Sequence, residues 1–207
     1  MPVKNSKKQF KSGGIYHVYN RGVNKDEIFF QEDDYRYFIF LLSRYVSKPK
    51  KFENGDRRNY YKKIQILSFC LMNNHFHLLL KQARKKVISN FMRSIIVSYT
   101  LYINSKYKRV GHLFQGTYKA RLIVNKEDLI NISKYIHLNP EECSGDFDFI
   151  SYPYSSIRSY IEDSSDFPFV NKKEILSIFS GENIAMGMYK DYLLKGSNLG
   201  FDPLSHP

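Results

Sequence analysis

Residues 64–80 read IQILSFCLMNNHFHLLL, and this stretch decides the fold. Ile64–Met72 is a strongly apolar run with the composition of a buried strand. Asn73-Asn74 tolerate the left-handed backbone of a tight two-residue turn, and His75–Leu80 returns as the partner strand. Alternation along that strand sends His75 and His77 to one face and Phe76 to the other. Two imidazoles then stand side by side at the start of a strand, where a divalent cation could meet both. The bland alternative is two half-exposed histidines on a solvated sheet face. The apolar flanks make the strand central, and unligated polar rings there are costly.

Upstream, Gly13-Gly14 lead into a strand at Ile15–Asn20, closed by Arg21-Gly22. Asp33-Asp34 suit the first turn of a helix with the apolar face Phe38, Leu41, Leu42 and Tyr45. Pro49 to Lys63 is a long basic loop containing Asn54-Gly55. From about Lys85 to Lys106, Val87, Phe91, Ile95, Tyr99 and Tyr102 form one stripe of a long helix, with Gly111 just past its basic end. Gly116–Val124 reads as a further strand. Asn125 caps the next helix, with Asp128 at its third position and Pro140 at its stop. The order predicts an α+β, ferredoxin-like (split βαββαβ) antiparallel sheet, its helices on one face and one more helix behind. Short helices at Ile157–Ile161, Glu174–Phe179 and Met186–Leu194 complete a small C-terminal extension.

The chain has 207 residues, 43% hydrophobic and 25% charged, which is ordinary globular composition. No apolar run approaches the ~20 residues of a membrane helix, and no apolar segment follows the basic residues of the first eleven, so no signal peptide is expected. Cys70 and Cys143 are the only cysteines. A soluble, cytoplasmic protein without a membrane partner is the expectation. Residues 1–140 hold 27 basic and 9 acidic residues, 27 − 9 = +18; residues 141–207 hold 5 and 11, 5 − 11 = −6. We therefore divide the chain into a basic flexible arm (1–12), a main domain (13–140) and an acidic, mainly helical extension (141–207). A strongly basic block carrying tyrosine and phenylalanine throughout suits a polyanion, because its cations release phosphate counterions while aromatic faces stack on unpaired bases.

The end of the last main-domain helix, Ser133-Lys134-Tyr135-Ile136-His137-Leu138-Asn139-Pro140, carries the second signal. At roughly 100° per residue Asn139 stands about 40° round from Tyr135, whereas His137 falls about 200° away on the back. Asp128 and Asn131 share the polar side with Tyr135, bordering the apolar stripe Leu129, Ile132 and Ile136. One helix face thus offers a phenol and an amide oxygen four residues apart. Among 17 tyrosines, none stands out as a nucleophile on composition alone.

Together these motifs resemble a known family. His75-Phe76-His77 is similar to the His-hydrophobic-His motif of HUH single-strand endonucleases. Tyr16-His17-Val18 with Asn20-Arg21-Gly22, then Gly111-His112-Leu113-Phe114-Gln115-Gly116, then Tyr135-Ile136-His137-Leu138-Asn139-Pro140, resemble the REP-associated single-tyrosine transposases. The likeness runs from about residue 14 to 160 and includes Tyr152-Pro153-Tyr154-Ser155-Ser156. It implies that His75 and His77 bind a divalent metal, Mg²⁺ or Mn²⁺, that Asn139 supplies a third ligand, and that Tyr135 is the nucleophile. The implied reaction nicks single-stranded DNA at a hairpin through a 5′-phosphotyrosine intermediate and transfers strands, the protein acting as monomer or homodimer. Phe114 and Tyr152 stand where related proteins often carry tryptophan. Arg21, Lys119 and Arg121 are the expected DNA-phosphate contacts. A non-catalytic single-stranded nucleic-acid-binding module would use the same surface, and a water-using metallonuclease would keep the histidines but not need Tyr135.

Overall fold

The computed structural model describes residues 8–49, 59–140, 149–162, 164, 166–179 and 182–195. Most of the basic arm, the Asn54-Gly55 loop, Cys143, the start of the extension and its last residues lie outside them.

The elements are β1 (Ile15–Arg21), α1 (Glu32–Val46), β2 (Ile64–Met72), β3 (His75–Gln82), α2 (Val87–Lys106), β4 (Lys119–Leu122) and α3 (Lys126–Leu138), followed by α4 (Ile157–Ile161), α5 (Lys173–Leu176) and α6 (Glu182–Leu194). The strand order is β2-β3-β1-β4 and every neighbouring pair is antiparallel. This is the expected split βαββαβ topology, an α+β fold. Helices α1 and α2 share one face, over a core built from Val18, Phe76, Leu78 and Leu80 with Phe38, Leu42, Phe91, Ile95 and Tyr99. Helix α3 lies on the opposite face, where Leu129, Ile132 and Ile136 meet Leu67, Cys70, Met72 and Leu79. Tyr160, Leu176, Tyr189 and Leu193 from the C-terminal helices join the same cluster.

Three local features depart from the sequence pattern. The Asn73-Asn74 turn forms without left-handed residues. Its carbonyls are instead held from outside, by the amides of Ile28 and Phe29 on Asn73 and of Gly22 on Asn74. Near Leu67 the register of β2 slips between Ile66 and Ser68. The irregularity resets the alternation, so Ile66 and Phe69 face α1 and α2 while Leu67 and Cys70 face α3. After α2, Lys108 takes the left-handed position (φ +54°), and Gly111 comes later, its carbonyl accepting from Asn104 Nδ2.

The outer edge of β2 is covered by the chain beyond residue 148. Leu71 N donates to Tyr154 O, Ser156 N to Phe69 O and Asn171 N to Ile66 O. That pairing removes an exposed strand edge. Tyr152 Oη donates to Leu71 O, and Tyr154 stacks on Tyr35 of α1 with centroids 3.8 Å apart. No helix among the described residues is long and apolar enough to cross a membrane.

Asp34 ties α1 to α2. Its fully buried carboxylate accepts from the amides of Phe30 and Gln31, from Tyr102 and Tyr107 hydroxyls, and from Lys106 Nζ at 2.8 Å. Burial pushes its pKa up, but the bonds from Lys106, Tyr107 and the two amides outweigh it and hold the group below its usual value. A depressed folded pKa contributes stability that is present at neutral pH and lost as pH falls through the ordinary carboxylate range of about 4. Asp34→Ala is expected to cost about 2–4 kcal/mol in urea denaturation at pH 7. The gap between variant and wild type should narrow as pH falls below that range.

Candidate active site

The site lies on the α3 face of the sheet, where β1 and β3 run side by side. Their register opposes Tyr19 to His77 and Arg21 to His75, so His17, Tyr19, Arg21, His75 and His77 all project to one side. His17 and His77 are diagonal neighbours, with rings stacked at 5.0 Å and His17 Nε2 2.8 Å from His77 Nδ1. His75 and His77 stand 5.1 Å apart, centroid to centroid.

Packing of the α3 apolar stripe carries Tyr135 and Asn139 onto this cluster. The Tyr135 ring meets His77 edge-on at 5.3 Å and His17 at 6.0 Å. Asn139 Oδ1 stands 2.9 Å from His75 Nε2, while Asn74 Oδ1 stands 2.6 Å from His75 Nδ1. Proline disfavours helical dihedrals in the residue before it, yet Asn139 keeps them (φ −55°, ψ −33°). The one-turn spacing from Tyr135 therefore survives to the helix end. His75, His77, Tyr135 and Asn139, chosen from the sequence, come together in space.

His137 points away, as the helical angle predicts. It is fully buried between Tyr189 Oη (2.8 Å) and Ser156 Oγ (2.9 Å). The remaining polar stripe does not line the site. Asn131 Oδ1 accepts from Tyr192 Oη, and Asp128 receives Arg121 Nη2 at 2.7 Å.

Burial dominates the electrostatics. It lowers the pKa of His75 against a raising bond from Asn139, with Arg21 adding a smaller lowering effect. His77 falls well below the ordinary imidazole value through burial and then its two histidine neighbours. His17 drops to about 3 through burial, then the Arg121 charge. All three rings are neutral near pH 7, the state in which an imidazole nitrogen can ligate a metal.

The three expected phosphate contacts differ in setting. Exposed Arg21 donates from Nε to Gln115 Oε1 at 2.5 Å, beside His75. Lys119 hangs over the Tyr19 ring at 5.6 Å. Arg121 is mostly committed to Asp128, its side chain only 19% exposed. Two of the sequence motifs meet next to His75, where Gln115 N donates to Arg21 O and Asn20 Nδ2 to Gly116 O at 3.3 Å. Gly22 is required there, because a Cβ would stand 2.0 Å from Asp26 O. Phe114 is buried against Phe76, so it packs where tryptophan was noted.

His17 and Tyr19 are the site residues that motif reading leaves without a role. Their alternation with Arg21 on β1 is visible in the sequence, but the register that sets them against His75 and His77 is not.

Residues 56–139 match the family model described as "Transposase IS200 like". The resemblance read from the motifs is therefore supported over this segment, where the chain is similar to the IS200-like transposases. Among solved structures, a REP-associated tyrosine transposase bound to a REP hairpin is similar at 16% identity and TM-score 0.58, over 75% of this chain and 84% of that one. At that identity the likeness establishes the fold. A transposase-like protein from Deinococcus radiodurans matches at 17% identity and TM-score 0.39, over 63% of this chain and 95% of its own. That superposition is too loose to carry an argument. No curated protein matches the sequence.

His137→Ala should destabilise the protein by about 2–5 kcal/mol, by opening a cavity and stranding two hydroxyls. The His137 pKa falls to about 3 through burial, against about 6.5 in an unfolded chain. The unfolded chain then binds more protons, so stability is complete above about pH 6.5 and is lost as pH falls from there towards 3. Denaturation midpoints across that window should fall less steeply for the variant than for the wild type.

Proposed function

We propose that this protein is a metal-dependent single-stranded DNA endonuclease and strand transferase that cleaves at hairpin-forming DNA, with Tyr135 as nucleophile. The observation that carries this reading is the delivery by one helix of both Tyr135 and Asn139 to the His75–His77 pair. A silent binding module has no need for a phenol and an amide converging on two neutral imidazoles.

The donor set fits a hard divalent cation such as Mg²⁺ or Mn²⁺. Among the described residues no three His, Cys, Asp or Glu side chains gather as a metal centre. A cation at His75 and His77 would take its third protein ligand from Asn139. His75 Nε2 and Asn139 Oδ1 are separated by 2.9 Å. A neutral imidazole has one N–H, and His75 faces an amide oxygen from each nitrogen. One of those contacts sets a lone pair against an oxygen, which a cation between them would relieve. When bound, the ion polarises the scissile phosphate and offsets charge building on its oxygens.

Tyr135 Oη forms the new bond to phosphorus as the bond to the 3′-oxygen breaks. The phenolic proton is lost and the 3′-oxygen departs as a hydroxyl. The product is a 5′-phosphotyrosine that a second 3′-hydroxyl reverses, completing strand transfer. Arg21 and Lys119 sit at the rim of the histidine cluster and contact the backbone phosphates. Arg121 contributes through its long-range charge while holding Asp128. The basic block that contains them supports a single-stranded, hairpin-forming DNA partner.

Labelled hairpin DNA incubated with the protein and Mn²⁺ should give a protein–DNA adduct that survives a denaturing gel. Tyr135→Phe is expected to remove at least 99% of the adduct while changing hairpin affinity less than threefold. His75→Ala should remove the adduct without lowering affinity. Binding without any adduct by the wild type would mark a silent binding module, and cleavage that persists in Tyr135→Phe would mark a water-using nuclease.

A further inference from the structure

His17 is buried at the centre of the sheet and takes no part in the chemistry described above. It touches His77 through a contact of 2.8 Å between His17 Nε2 and His77 Nδ1. Two neutral imidazoles in such contact share one proton, and only one of them donates. If His17 donated, the proton of His77 itself would sit on Nε2, and neither nitrogen of His77 would be open to a cation. If His77 donates, its Nε2 carries the lone pair.

The parallel with His75 favours the second arrangement. His75 is held in the same way from behind, its Nδ1 2.6 Å from Asn74 Oδ1, an oxygen that can only accept. Both imidazoles of the His-Phe-His strand are thus contacted at Nδ1, and an acceptor there leaves Nε2 for the site. This arrangement places the His17 proton on Nδ1, which is buried without a hydrogen-bond partner, so the tautomer is held at a cost. An outer group that fixes the tautomer and orientation of a ligating histidine commonly matters 10–100-fold for metal affinity.

We propose that His17 is a positioning residue: it accepts the Nδ1–H of His77 and so turns the Nε2 lone pair of His77 into the proposed metal site. This inference rests on the metal-site reading above. Asn74 serves His75 from within the hairpin turn, whereas His17 reaches His77 across strands and depends on the β1–β3 register.

The test uses the full-length protein without DNA. Mn²⁺ affinity is measured by titration calorimetry for the wild type, His17→Phe, His17→Gln and His75→Ala. His17→Phe should bind Mn²⁺ 10–100-fold more weakly. His17→Gln, whose amide oxygen accepts a hydrogen bond, should recover most of that loss. In the metal-free wild type, imidazole ¹⁵N shifts should place the His77 proton on Nδ1, a readout that needs no variant to fold. Wild-type Mn²⁺ affinity in folded His17→Phe, or a His77 proton on Nε2, would overturn the role of His17. A wild type that binds no Mn²⁺, or binds it no better than His75→Ala, would overturn the metal site itself, whatever the tautomer.

Discussion

The packing of the α3 apolar stripe against the back of β2 and β3 is the contact on which the site depends. Leu129, Ile132 and Ile136 bury against Leu67, Cys70, Met72 and Leu79. Because one helical turn separates Tyr135 from Asn139, seating that stripe fixes both over the histidines. The C-terminal helices grip α3 from its other side. Lys134 Nζ donates to Tyr192 O at 2.6 Å, and Ser133 and His137 share the Tyr189 hydroxyl. A large-to-small change in this cluster costs about 2–5 kcal/mol, and it would also loosen the helix carrying the proposed nucleophile. Stability and the geometry of the site are therefore coupled through one interface.

Around that interface the charge is arranged in two zones. The centre is largely buried and neutral, with three imidazoles whose protonation burial opposes. The rim is cationic, with Arg21 exposed and Lys119 half-exposed beside them. A polyanion attracted to the rim would meet neutral imidazoles at the centre, which carry no charge of their own to repel a divalent cation. Asp128, on the helix that carries Tyr135, is already paired with Arg121.

The hairpin, its two histidines and the capped helix leading to Pro140 are legible because each is local. Alternation over His75-Phe76-His77 and the rotation from Tyr135 to Asn139 need only neighbouring residues. The register that brings His17 to His77 is set by pairing over 60 residues of separation, so no short-range pattern reveals it. The irregularity at Leu67 is hidden for a different reason: in ILSFCLM nearly every position is apolar, and a change of phase leaves no mark. The turn at Asn73-Asn74 avoids the left-handed backbone because distant amides hold its carbonyls. Arg121 reads as a free cation until the fold sets Asp128 beside it. Helix existence is local, but the face it covers is not, which is why the placement of α3 behind the sheet carries the new information.

The central claim is that α3 presents one particular phenol to the histidine pair. It is tested most directly by mapping the covalent linkage in the unaltered protein. The adduct formed with hairpin DNA and Mn²⁺ would be digested with nuclease and trypsin and the modified peptide sequenced by mass spectrometry. The account predicts a nucleotide phosphate on Tyr135, the residue that follows the tryptic site at Lys134. A phosphate on any other tyrosine, including Tyr152 or Tyr154 in the same peptide, would contradict it.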